Sequence, residues 1–217
     1  MKRVLSAATV LVLCVVVPAA VTAQKPQSKQ PGSLSLSAAP NPVKFGASVT
    51  TSGKLTGPNK PGKEVTLSED PFPFDDLTNV GTAIVDTQGD YSFVRTPTVS
   101  TRYQVRQGGL DSEIVTVSVS PRISLRVSDR TPAAGKRVRF SGRVCPQHDG
   151  ASLAIQRRTA RKQWRTVASV VTADAGDECS TYSRRRRVRR DSVYRTFLSA
   201  DADHAAGNSR ARRIDVH

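Results

Sequence analysis

The sequence has few of the residues that carry enzymatic chemistry. Its 217 residues include three histidines, three cysteines, one methionine and one tryptophan. It lacks the Gly-x-Ser-x-Gly elbow of hydrolases, the Walker phosphate loop and the His-Glu-x-x-His helix. Its carboxylates fall mainly in turns, and no pair is set to flank a glycosidic bond. We therefore predict a non-enzymatic protein without a cofactor. A hydrolase or inhibitor with its site on loops is the distant alternative.

Helical periodicity is also missing. No window of useful length repeats its apolar residues every three or four positions, which argues against amphipathic helices. Short stretches alternate apolar and polar residues instead, as in "EVTLS" at 64–68 and "IVTVSV" at 114–119. Glycine and proline separate these stretches, for example at Gly57-Pro58. This pattern predicts an all-β fold.

The N-terminus has the three-part layout of a secretory signal. Two basic residues precede the apolar residues 4–17, and small residues lead to a predicted cleavage site after Ala23. The apolar run is shorter than the ~20 residues of a membrane-spanning helix, so a transmembrane anchor is a poorer alternative. A lipoprotein signal at Cys14 is poorer still, because a bulky leucine precedes the cysteine. We predict a signal peptide at 1–23 and an exported protein, secreted or associated with the cell envelope, with no transmembrane segment after cleavage.

Export determines how the cysteines are interpreted. Removal of the signal peptide leaves Cys145 and Cys179, and two cysteines in an oxidising compartment predict one disulfide. Together with His148 and His204 they would also supply the ligand set of a structural zinc site. The spacing is irregular and export favours thiol oxidation, so we predict the disulfide and no metal. Calcium in the acidic turns is a weaker alternative, because no repeated Asp-x-Asp pattern occurs.

Two copies of one pattern follow residues 24–33, a polar stretch predicted to be a flexible linker. The matches keep an offset of 89 and include Gly46 with Gly135, Val49 with Val138, Ser52 with Ser141 and Gly53 with Gly142. Tyr91 and Tyr103 match Tyr182 and Tyr194 at an offset of 91. Each copy has about 90 residues, the size of an immunoglobulin-like sandwich. Pro121 interrupts the alternation between the copies, which predicts domains at 34–120 and 121–217.

The repeated unit resembles a known group of exported domains. The first copy contains "PVKFGASVTTSGKL" and "VDTQGDYSF", and the second contains "AGKRVRFSGRV", "ASLAIQRR" and "WRTVAS". These motifs resemble the immunoglobulin-like or prealbumin-like β-sandwich repeats of bacterial surface and secreted proteins, over nearly all of residues 34–217. The resemblance implies a fold and no activity. The second copy departs from it in the acidic turn around Asp174 and in an insert at 200–206.

Three aromatic residues carry specific predictions. Tyr103 and Tyr194 stand near the start of late strands, where a buried tyrosine would bond the backbone through its hydroxyl, by analogy with the tyrosine corner of sandwiches. Trp164 lies across a predicted hairpin from Leu153 and Ile155, which predicts a core position. A sugar-binding platform is the alternative for Trp164.

The positive charge is concentrated in the second copy. Residues 24–120 carry nine basic and nine acidic side chains, whereas residues 121–217 carry 22 and nine, a net charge of +13. Such asymmetry suggests an anionic partner for the second copy. Solubility alone is the alternative explanation.

Six of the seven residues 184–190 are arginine, in a stretch predicted to be a strand. Alternation would turn some of them towards the core, where unpaired charge is costly. An edge position, a β-bulge or long stems that reach water would resolve the conflict. No recognition helix, zinc finger or set of aromatic residues for base stacking accompanies the arginines, which argues against sequence-specific nucleic-acid binding. The candidate polyanion-binding residues are Arg185, Arg187, Arg189, Arg157, Arg158 and Arg161.

Taken together, these patterns predict two tandem immunoglobulin-like β-sandwiches in an exported structural or adhesive protein of the cell envelope or extracellular space. The alternative function is binding of a polyanion by the arginine-rich face of the second copy. Anionic wall polymer, acidic polysaccharide, anionic lipid and extracellular DNA are the candidate partners. A solvated face without a partner is the competing explanation of the arginines.

Overall fold

The computed structural model describes residues 32–217. The predicted signal peptide and nearly all of the predicted linker therefore lie outside the described residues. Between residues 32 and 217 the chain contains strands, turns and loops and no helical residue. The predicted all-β fold of tandem β-sandwiches is confirmed.

Residues 37–120 form the strands of the first sandwich. They are β1 (Ser37–Ala39), β2 (Val43–Lys44), β3 (Val49–Lys54), β4 (Glu64–Pro71), β5 (Thr78–Ile84), β6 (Asp90–Arg95), β7 (Thr101–Gln107), β8 (Leu110–Asp111), β9 (Val115–Val117) and β10 (Val119–Ser120). One sheet has the order β1-β3-β6. The other has the order β5-β4-β7-β8, with β9 also on β7, and β10 pairs in parallel with β2.

Residues 122–214 form the strands of the second sandwich. They are β11 (Arg122–Ile123), β12 (Arg126–Val127), β13 (Arg137–Cys145), β14 (Ser152–Arg158), β15 (Trp164–Val171), β16 (Ala173–Asp174), β17 (Ser180–Arg187), β18 (Ser192–Leu198), β19 (Gly207–Asn208) and β20 (Arg212–Ile214). The first sheet has the order β11-β13-β17-β16, with β12 also on β13. The second has the order β15-β14-β18-β19, with β20 also on β18.

Each set of strands encloses its own apolar core. The core of the first set includes Val49, Leu67 and Tyr103, all fully buried. The cores of the second set include Phe140 and Ile155, also fully buried. In β13, for example, the buried Val138 and Phe140 alternate with the exposed Arg137 and Arg139, as the period of two predicts.

Trp164 does not lie in the core, contrary to the prediction. The register between β14 and β15 shifts between Ile155 and Gln156, and Val167 is the extra residue of a β-bulge. The bulge reverses which side chains face inward, so Trp164 pairs with the exposed Arg158. Trp164 is half-buried, and the guanidinium carbon of Arg195 lies 4.5 Å from its ring centroid.

Backbone and side-chain bonds connect the second set of strands to the first. The amide of Ser100 donates to the carbonyl of Asp203 at 2.8 Å, and the amide of Ala205 donates to the carbonyl of Val119 at 2.8 Å. Asp203 and Ala205 belong to the insert at 200–206. The departure from the repeat pattern is therefore the segment that contacts the first sandwich.

Candidate anion-binding site

Strand β17 presents a row of arginines to solvent. It pairs with β13 without a register shift, so Arg185 lies opposite Arg139 and Arg187 lies opposite Arg137. All four side chains are exposed, and we refer to them as the outer arginine face. Like charges directly opposite each other on a sheet are destabilising. The outer arginine face therefore costs the folded protein stability unless a counter-ion screens it.

The other two arginines of β17 alternate towards the core side. Arg184 lies opposite Phe140 and Arg186 lies opposite Val138. Arg186 is half-buried, and its guanidinium donates a hydrogen bond to the carbonyl of Val167 on the facing sheet. Arg184 is exposed, since β17 is an edge strand beyond the short pairing with β16. Of the three resolutions left open by the sequence, the edge position and the long arginine stems are present, and the pairing of β17 with β13 has no β-bulge.

Five arginines and one tyrosine line a cleft of about 530 Å³ between the two sheets of the second sandwich. We refer to it as the arginine cleft, and its lining residues are Arg157, Arg186, Arg187, Arg189, Arg190 and Tyr194. The first sheet and the β17–β18 connection supply four of the arginines, and the second sheet supplies Arg157 and Tyr194. The cleft thus brings together charges that lie more than 25 residues apart in sequence.

Val188 fixes the segment that carries two of these arginines. Its side chain is buried, its amide donates to the carbonyl of Lys136 at 3.0 Å, and its carbonyl accepts from the amide of Gly135 at 2.7 Å. These contacts keep the arginine-rich segment against the sheet for one residue beyond the end of β17. Arg189 and Arg190 follow directly and are both exposed.

Within the part of the chain that the structure describes, the guanidinium groups of the arginine cleft have no acidic partner. Among residues 32–217, no carboxylate lies within 4.0 Å of a nitrogen of these five arginines. Elsewhere the chain does pair its arginines, as in Arg95 with Glu69 at 3.0 Å and Arg213 with Asp215 at 2.5 Å. The forked geometry of guanidinium suits phosphate and carboxylate groups. An anion in the cleft would meet several unneutralised donors.

A second groove of about 630 Å³ continues from the arginine cleft and shares Arg157 and Arg190 with it. Arg158, Lys162 and Arg165 also line this groove. Asp191 is present as well, so the second groove is less uniformly positive. The two depressions together extend the basic surface along the open end of the sandwich.

The structure places the six predicted arginines in different surroundings. Arg157, Arg187 and Arg189 line the arginine cleft. Arg158 lines the second groove, whereas Arg185 lies only on the outer arginine face. Arg161 is exposed in the β14–β15 turn and lines neither depression.

Two cleft residues were missed because they were assigned to the core side of the strand. Arg186 and Arg190 share the alternation of Tyr182 and Val188, which predicts an inward direction. Arg186, near the end of β17, instead reaches the gap between the sheets, and Arg190 lies beyond the strand in the connection to β18. The sequence distance of both residues from the buried Tyr182 was the available signal.

The predicted disulfide is confirmed. Cys145, at the end of β13, bonds to Cys179, which directly precedes β17, with a sequence separation of 34. The bond takes both sulfurs, so the two-sulfur, two-nitrogen zinc site does not form. Nearby, a hydrogen bond from Arg143 holds the pKa of Asp177 below its usual value.

In residues 32–217, no helix is long and apolar enough to cross a membrane. Comparison with protein-family models and with curated proteins finds no match to this chain. The function is therefore inferred from the geometry of the second sandwich.

Proposed function

We propose that the chain is a non-enzymatic, exported structural or adhesive protein that attaches to anionic polymers through the second sandwich. The arginine cleft is the observation that carries this proposal. Five guanidinium groups converge there without a carboxylate within 4.0 Å among the described residues. Solubility alone does not require five arginines from two sheets and a connection to converge on one cleft.

The outer arginine face supports the same proposal. Opposed pairs of arginines lower the stability of a sheet, and the paired strands β13 and β17 contain two such pairs. A bound polyanion would offset that cost by neutralising both sides of each pair. Because Arg187 belongs to both the face and the cleft, one polymer chain would contact both.

The recognised chemistry is a chain of phosphate or carboxylate groups. Arginine binds either group through parallel N–H donors, and counter-ion release makes such binding strongly dependent on salt. Wall polymer, acidic polysaccharide and extracellular DNA all present such groups in a chain. Anionic lipid presents them on a surface, which the concave cleft fits less well.

Salt-gradient elution from phosphocellulose and from carboxymethyl resin tests the proposal. The cleft variant changes Arg187, Arg189 and Arg190 to serine. A charge-matched control changes Lys44, Lys63 and Arg210, which are exposed and lie outside the arginine cleft. We expect the cleft variant to elute earlier than the control on at least one resin. Equal elution of the two variants on both resins would contradict the proposal.

A further inference from the structure

Two histidines and an aspartate converge near the contact between the two sandwiches. His148 follows β13 and His204 lies in the insert at 200–206, and their ring centroids are 4.9 Å apart. The Nε2 atom of His148 lies 3.2 Å from Oδ2 of Asp201, and the Nδ1 atom of His204 lies 3.9 Å from Oδ1 of the same carboxylate. One nitrogen from each histidine and one oxygen of Asp201 all lie within 4.8 Å of one another.

The opposite ring nitrogens are held by backbone carbonyls. Nδ1 of His148 lies 2.8 Å from the carbonyl oxygen of Pro146, and Nε2 of His204 lies 3.0 Å from that of Thr98. A carbonyl oxygen only accepts hydrogen bonds, so each of these nitrogens carries the proton. In a neutral ring the other nitrogen then has a free lone pair. This arrangement fixes the tautomer and orientation of histidines that bind metals.

The two remaining ring nitrogens are buried and face carboxylates. The side chains of His148 and His204 are 6% and 5% exposed. Nδ1 of His204 lies 3.0 Å from a carboxylate oxygen of Asp203, nearer than Asp201. Among residues 32–217, neither nitrogen has a partner that meets hydrogen-bond geometry. A buried lone pair beside a carboxylate is costly, because both groups only accept hydrogen bonds. A cation between the two rings and Asp201 would satisfy all three groups.

We propose that His148, His204 and Asp201 bind a divalent transition-metal ion of the zinc class. Two imidazole nitrogens and one carboxylate oxygen are a common three-residue ligand set for zinc. In a tetrahedral site with ligand distances of about 2.0 Å, two ligand atoms lie about 3.3 Å apart. The observed 3.2 Å between His148 and Asp201 already meets that spacing. Asp201 is 42% exposed, so its carboxylate has room to turn towards His204 and leaves the fourth position open to solvent.

The position of the site suggests what the metal does. His204 reaches the first sandwich through the carbonyl of Thr98, and neighbouring Asp203 accepts the amide of Ser100 at 2.8 Å. His148 belongs to the second sandwich and is tied to β17 through the hydroxyl of Ser180 at 2.7 Å. A bound ion would therefore hold the insert in place and stabilise the contact between the sandwiches.

The competing explanation is a network of protonated histidines and carboxylates without metal. Asp203 favours it, because its carboxylate lies 3.0 Å from Nδ1 of His204. The metal site predicts uptake of one ion per chain, whereas the metal-free network predicts none. Binding of zinc by itself does not depend on the arginine cleft, so either proposal can fail without the other.

Metal titration of the untagged chain, from residue 24, tests the site. The chelator-treated protein is titrated with Zn²⁺ against a chromophoric chelator, and with Co²⁺, whose visible absorption reports tetrahedral coordination. We expect one ion per chain and a higher midpoint of thermal unfolding with zinc. The variants His148→Gln, His204→Gln and Asp201→Asn should each weaken binding at least tenfold.

The third histidine of the chain supplies the matched control. His217 is exposed at the C-terminus, and His217→Gln should bind zinc as the unmodified chain does. Near-identical thermal unfolding of the metal-free variants would show that the substitutions leave the fold intact. No zinc uptake by the unmodified chain would overturn the site. So would equal uptake after His148→Gln and His204→Gln, or loss of uptake in His217→Gln alone.

Discussion

The hydroxyl of Tyr182 donates a hydrogen bond to the carbonyl oxygen of Ser124 at 2.5 Å. The bond passes over Gly142, where an added Cβ would overlap the Ser124 carbonyl and lie 2.7 Å from the tyrosine hydroxyl. The first sandwich repeats the arrangement, since Tyr91 bonds the carbonyl of Ser35 over Gly53. This shared arrangement explains why a glycine and a tyrosine stand at matching positions in both sandwiches.

The glycine under this bond should be intolerant of any side chain. Gly142→Ala places a methyl group against backbone that cannot move without disturbing the sheet. We expect the free energy of unfolding, measured in urea, to fall by about 3 kcal/mol, at the upper end of overpacking effects. Gly81→Ala is the control, because an added Cβ there has no atom within 4 Å and no positive φ is involved. A similar loss in both variants would contradict the interpretation.

The tyrosine hydroxyls should differ in their contributions to stability. Tyr182→Phe removes the bond to Ser124 and leaves a carbonyl unpaired, which should lower the free energy of unfolding by about 1–2 kcal/mol. The hydroxyl of Tyr103 is buried, and among residues 32–217 it has no hydrogen-bond partner. Tyr103→Phe should therefore be neutral or stabilising in the same urea experiment. A larger loss of unfolding free energy in Tyr103→Phe than in Tyr182→Phe would show that the hydrogen bond from Tyr182 to Ser124 does not stabilise the fold.

Stability should decline at high pH because of the same tyrosines. Burial raises the pKa of Tyr91, Tyr103 and Tyr182 to about 12. The value in an unfolded chain is about 10. The folded state holds these protons more tightly, so the stabilisation is complete below pH about 10 and is lost as the pH rises through about 12. Urea unfolding across that interval should give a falling free energy. A constant free energy would contradict the burial of these hydroxyls.

Removal of the disulfide should destabilise the second sandwich. The bond between Cys145 and Cys179 closes a loop with a sequence separation of 34. The chain-entropy model gives about 3–4 kcal/mol for a loop of this length. We expect the double variant Cys145→Ala, Cys179→Ala to lose about that much in urea unfolding, and mass analysis of the native chain to find no free thiol at these two positions. Two free thiols in the native chain would rule out the bond.

The fold was accessible from sequence because local patterns agree with the global structure. Period-two alternation and turn glycines are properties of neighbouring residues, and the offset of 89 is a regularity along the chain; all three indicate two β-sandwiches. The tyrosine roles were less accessible. Tyr103 and Tyr194 were expected to bond the backbone, but Tyr91 and Tyr182 make that bond. The tyrosine whose hydroxyl lies above a glycine is determined by how two strands pack. The alternation of apolar and polar residues carries no information about that packing.

The site was only partly predictable for a related reason. The arginines of β17 were identified as a group, yet the cleft also needs Arg157 from the opposite sheet and inward-facing Arg186. The bulge at Val167 that moves Trp164 out of the core has no clear local signature. The zinc alternative grouped the histidines with two cysteines that instead form the disulfide, and Asp201 approaches the histidines only through the fold of the insert.

If the arginine cleft binds polyanions, the affinity should fall steeply with salt, and the steepness should depend on the arginines of the cleft. Random-sequence single-stranded DNA with a fluorescent label serves as the reference polyanion, titrated from about 50 to about 200 mM salt. Each phosphate contact adds about 0.7 to the slope of log K against log salt, so serine at Arg187, Arg189 and Arg190 should reduce the slope by about 2. The charge-matched control with serine at Lys44, Lys63 and Arg210 should retain the slope of the unmodified chain. Identical slopes and affinities for the cleft variant and the control would contradict the claim.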